Sequence, residues 1–122
     1  TAYTYAKKSY DDGGQDIHYK ASLTLSIICC AISEHEKGQD KINECRLAIR
    51  YANEAVFSDF YQQNNTSLQL DLDAKQGKSH SGIQMVVNAC NFIKQNSTDM
   101  EDVEISESVL DRLHKLSLEK NS

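Results

Sequence analysis

Apolar side chains recur along most of this chain in steps of three and four. The cleanest run is Ile42, Cys45, Ile49, Ala52 and Val56, one face of a helix kept through two heptads. Leu47, Ala48, Ala55, Phe57 and Phe60 widen that face, while Lys41, Glu44, Arg46, Arg50, Asn53 and Glu54 fall mainly on the side left to water. With Asp40 as N-cap, the pattern predicts a helix to about Asn64. The preceding segment carries two adjacent rows, Leu23, Ile27 and Cys30 beside Leu25, Ile28, Cys29 and Ile32. Thr24 and the isoleucines would also suit a strand, but the length and the 3-4 spacing favour helix. That helix is predicted from Asp16, after the break at Gly13-Gly14, to Lys37, where Gly38 takes the left-handed C-cap conformation.

A short connection at Gly38 makes these two helices an antiparallel hairpin, and the rest of the chain is read around it. Cys30 and Cys45 lie equally far from the hinge, each about 11 Å along its helix from the standard rise per residue. Both fall on apolar rows, so they are candidates for a disulfide. Cys29 points about 100° away on the helical wheel, where Cys90 of a later helix can meet it. Of the three pairings four cysteines allow, the one joining neighbours Cys29 and Cys30 is strained, leaving two.

Outside the hairpin, Tyr3, Ala6 and Tyr10 predict a short N-terminal helix over residues 1–12. Leu68, Leu70 and Leu72 alternate with polar residues, the period of a strand. With no partner strand in the chain, an extended segment pinned by its leucines is expected, with an edge strand used in dimerisation as the alternative. Gly77-Lys78-Ser79 superficially matches the end of a phosphate loop, but the upstream glycine that loop needs is absent. Ser79 or Ser81 instead caps a helix over about 80–95, with Ile83, Val86, Val87, Cys90 and Ile93 on its apolar side. Thr98 and Glu101 have the spacing of a capping box. After it, Val103, Ile105, Val109, Leu110, Leu113 and Leu116 form either one continuous helix or two, the second capped by Ser106 and running to about Glu119. The expected fold is therefore all-α: a single-domain bundle of four main helices plus a short N-terminal one.

At 122 residues the chain has the length of one domain and enough surface to bury a core without staples. Its net charge of -5 and pI near 5.3 argue against nucleic acid or an anionic membrane as the main partner. No apolar run reaches the length of a membrane span. The chain begins at Thr1, which fits either a removed signal peptide or a trimmed start. With an even number of cysteines and a geometrically suitable pair, a periplasmic or otherwise exported location is expected, against a cytoplasmic one with four reduced thiols. Asn64, Asn65 and Asn96 match the N-glycosylation acceptor pattern, which occurs often by chance.

Candidate chemistry is sparse. His18, His35, His80 and His114 do not have the spacing that places two imidazoles and a base on one helix face. Glu34-His35-Glu36 reads as a solvated helix end. Every cysteine lies on an apolar row, where a thiol is usually inert, and no Cys-x-x-Cys pair exists to bind zinc. No enzyme activity, cofactor or metal is expected. The concentration of polar character is Asp99, Glu101, Asp102, Glu104 and Glu107, which favour a helix start and also suit contact with a basic partner. Asp71 and Asp73 are expected to extend that surface. The predicted partner-binding residues are Asp99, Glu101, Asp102, Glu104, Asp71 and Asp73.

The missing start methionine, the Asp16–Asn64 hairpin with its cysteines and the acidic loop residues together resemble the small periplasmic immunity proteins that bacteria keep against secreted cell-wall-degrading effectors, such as those of type VI secretion. The resemblance implies a helical, commonly dimeric protein that binds a toxin and covers its substrate cleft. The alternative is a non-catalytic helical adaptor or regulatory module in the cytosol.

Overall fold

A computed structural model describes residues 2–63 and 82–121. They form α1 (Ala2–Asp12), α2 (Gln15–Ser33), α3 (Gly38–Val56), α4 (Asp59–Gln63), α5 (Gly82–Asn96) and α6 (Met100–Asn121). No strand occurs among the described residues, and the architecture is an all-α bundle, as the periodicity predicts. The segment around Leu68–Leu72 lies outside the described residues.

α3 is the hub, packing against α2, α4, α5 and α6, and α2 is its most extensive neighbour. The predicted row on α3 supplies the centre: Cys45, Ile49, Ala52 and Val56 are buried, with Ile42 half-buried at the near end. Leu23, Ile27, Cys29 and Cys30 face them from α2, Val86, Ala89, Cys90 and Ile93 from α5, and Val109 and Leu113 from α6.

Two serines fix the register of the hairpin. Ser22 Oγ donates to the Tyr51 carbonyl and Ser26 Oγ to the Ala48 carbonyl, each at 2.7 Å, with both serines fully buried. One turn forward on α2 corresponds to one turn back on α3, which is the antiparallel pairing expected from the short hinge. The small side chains bring the two backbones close, and each buried hydroxyl finds an acceptor there.

The helix ends differ from the pattern-based reading. α2 stops at Ser33 instead of Lys37, with Ser33 Oγ bonded back to the Cys30 carbonyl. Gly38 does adopt a positive φ of 60°, but it opens α3 instead of closing α2. Asp16 and Asp40 stand in the first turns of their helices and are not the N-caps, which are Gly14 and Lys37. α3 breaks at Phe57-Ser58, and the short α4 follows. The expected capping box is replaced by a cap one residue later, where Asp99 Oδ1 accepts the Glu101 N–H at 2.9 Å. α6 then runs unbroken through Ser106, which is buried within it.

Candidate functional site

The acidic stretch lies on the first turns of α6, directly against α3. Asp102 is completely buried there and binds two arginines spaced one turn apart on α3. Arg50 Nη1 donates to Asp102 Oδ1 at 2.7 Å. Arg46 Nε lies 2.7 Å from Oδ2, an ion pair whose N–H is not well aligned for a hydrogen bond. Ser97 Oγ reaches the same oxygen at 3.4 Å. Around this centre, Arg46 also approaches Asp99 at 3.7 Å and Arg50 approaches Glu101 at 3.8 Å.

This arrangement corrects two expectations. Asp102 is unavailable to a partner because both its oxygens face α3 and none of its surface meets water. Arg46 and Arg50 are not simply solvated; their stems leave the apolar row and their guanidinium groups neutralise the buried carboxylate. Asp99, Glu101 and Glu104 remain exposed, Glu101 with three-quarters of its side chain in water. Asp71 and Asp73 lie outside the described residues.

A helical wheel of α6 carried the missing signal. Asp102, Ser106, Val109 and Leu113 step by four, three and four, and all four are buried. Asp102 thus stands on the apolar stripe of α6, which is where an acidic residue needs a dedicated cation.

The four cysteines are all free and all buried, so neither the Cys30–Cys45 nor the Cys29–Cys90 disulfide is formed. Each thiol packs as a small apolar group on its predicted row. Burial pushes the Cys29 and Cys90 thiols up to about 12 and raises Cys30 and Cys45 as well. At Cys45 a hydrogen bond with Ser33 and the charge of Lys41 oppose burial without overcoming it. Cys30 and Cys45 line a cavity of about 330 Å³ between α2, α3 and α5, with Met85 and Phe92 opposite and Lys41 Nζ 4.9 Å from the Phe92 ring centre. None of its lining residues is histidine. His35 and His114 are exposed, and His80 lies outside the described residues. Among the described residues no cluster of three or more His, Cys, Asp and Glu side chains is arranged to hold a metal ion. No helix among them is long and apolar enough to cross a membrane.

A second polar cluster, invisible in the sequence pattern, joins α1, α2 and α3. His18 Nδ1 sits 2.7 Å from the Tyr10 carbonyl oxygen, and its Nε2 contacts Glu54 Oε1. Tyr10 OH donates to Glu54 Oε2 at 2.7 Å, and the Tyr10 and His18 rings lie 4.2 Å apart. These residues are distant in sequence, and no spacing rule links them.

Compared with family models, curated proteins and solved structures, the chain matches none.

Proposed function

We propose that this chain is a protein-binding inhibitor of the immunity type, which blocks the active-site cleft of a secreted cell-wall-degrading toxin. The observation that carries the reading is the set of exposed carboxylates, Asp99, Glu101 and Glu104, on a base made rigid by the Asp102–Arg46–Arg50 lock. Carboxylates fixed in this way lose little freedom on binding and steer a basic partner into register. Asp71 and Asp73 belong to the proposed surface on sequence grounds. The inhibitor acts in the periplasm or another exported compartment, without catalysing a reaction, and a homodimer is compatible with the role.

Copurification with a cell-wall hydrolase tests the partner class. The double charge reversal E101K/E104K tests the surface, because neither side chain contributes to the core. It is expected to slow association with the hydrolase by at least ~10-fold at low salt. Undiminished inhibition by the reversed variant removes the proposed surface.

A second reading, a cytosolic adaptor with reduced cysteines, is favoured by the four free, buried thiols. The two separate by a thiol count on denatured protein prepared without reductant from its native compartment. Four free thiols favour the adaptor, and fewer favour the exported inhibitor.

A further inference from the structure

His18 meets an acceptor at each ring nitrogen. The Tyr10 carbonyl oxygen has no proton to offer at Nδ1, and an ionised Glu54 has none at Nε2. Both contacts are satisfied only when the ring carries both protons and donates twice. A neutral ring would aim a lone pair at one of the two oxygens. We propose that His18, Glu54 and Tyr10 form a pH-operated clasp, which holds α1 on the α2–α3 hairpin while His18 is an imidazolium and releases α1 when that proton leaves to solvent.

The position of α1 makes such a release local. Its one buried residue is Ala6, and none of the central core cluster comes from α1. It packs on α2, and the clasp ties it to Glu54 of α3. An element with so few apolar contacts opens at much lower free energy than the whole bundle.

Other groups around the ring support the charged form. From α1, Asp11 adds negative charge, and Lys7 Nζ, a cation, stands 4.9 Å from the Tyr10 ring centre. From α2, Tyr19 packs edge-on at 5.2 Å. From α3, Glu54 accepts the contact and Tyr51 packs edge-on to Tyr10 at 5.4 Å. Tyr10 is held up at about 12 by burial and its bond to Glu54, and Tyr51 is also raised, so both phenols stay neutral near pH 7. The bond to Glu54, then that to the Tyr10 carbonyl, raise His18 above its ordinary value of 6.5. The part of the clasp that depends on the His18 proton is therefore fully present below about 6.5 and is lost as pH rises through the raised value.

Hydrogen exchange followed residue by residue from pH 5.5 to 9, expressed as protection factors, tests this. Protection at Lys7, Ser9 and Tyr10 is expected to fall by about tenfold per pH unit between the open-state and closed-state values for His18 and then level off. Protection at Ile49 and Ala52 should hold steady. In H18Q, which cannot titrate, α1 protection should be independent of pH. Flat α1 protection in the wild type overturns the clasp, as does a fall shared with Ile49 and Ala52 or one that persists in H18Q. Should H18Q not fold, the ¹⁵N shifts of His18 in the wild type decide. Two protonated ring nitrogens at pH 6, losing one in step with α1 protection, support the clasp, and a neutral ring at pH 6 overturns it.

Discussion

Arg50 on α3 and Asp102 on α6 meet at 2.7 Å although 52 residues separate them, and Asp102 has no exposed surface. The pair is asymmetric. Both arginines keep over a third of their side chains in water, whereas the buried carboxylate meets, among the described residues, these two cations and Ser97. Removing both cations strands a buried charge, while removing the carboxylate leaves two cations that water can reach. R46A/R50A should therefore destabilise by about 3–5 kcal/mol, and R46A alone by no more than about 1–2. Urea denaturation of the single and double variants checks the ordering. Equal, small losses in both would mean that the lock does not hold α6.

Ser106 is buried on the same stripe, and its hydroxyl has no hydrogen-bond partner among the described residues. An unpaired buried hydroxyl costs stability, and alanine is the better helix former. S106A should raise stability by about 1 kcal/mol, an uncommon direction for a core substitution. Thermal melts of the two proteins side by side give the sign.

Three glycines respond differently to an added methyl group. At Gly38 there is room for a Cβ, but φ is 60°, so G38A should cost about 1–2 kcal/mol through backbone strain alone. At Gly13 the Cβ would lie 2.5 Å from the Ser9 carbonyl oxygen and 2.5 Å from Ile17 Cγ2, so the α1–α2 turn must open. At Gly14 nothing lies within 4 Å. G13A should thus lose α1 protection in hydrogen exchange, with G14A close to wild type.

Burial decides thiol reactivity. Cys29 and Cys90 at about 12, with Cys30 and Cys45 also raised, carry almost no thiolate at pH 8. Iodoacetamide should label none of the four in native protein within an hour and all four in urea after reduction. Rapid native labelling at Cys45, which borders the cavity, would show that Lys41 outweighs burial.

Most of the bundle was legible because its apolar rows are long and regular. The α3 row and the Leu23, Ile27, Cys30 row of α2 pack where their spacing places them, as do Val86, Cys90 and Ile93 of α5, while the second α2 row is buried at Leu25 and Cys29 and runs out to an exposed Ile32. Helix ends were less legible. Glu34 to Lys37 have ordinary helix propensity, yet Ile32 is already two-fifths exposed, so little apolar surface remains there to reward another turn. The buried role of Asp102 was hidden by its acidic neighbours, which make any carboxylate there look solvated. Only its step to Ser106, Val109 and Leu113 marks it, and the identity of its cations depends on tertiary packing. The His18 cluster has no sequence signal, since it is assembled from three helices by the turn at Gly13 and the register of the hairpin.

At the far side of the bundle, Arg112 Nε donates to the Val56 carbonyl at 3.2 Å, with its guanidinium 5.9 Å from the Phe57 ring centre. α6 is thus pinned to α3 at Asp102 and again at Arg112, ten residues or about 15 Å further on. A rod fastened once can swivel about the fastening. Fastened twice it cannot, so swivelling α6 on α3 requires breaking one of the two pins, and the acidic start of α6 keeps a set position on the bundle.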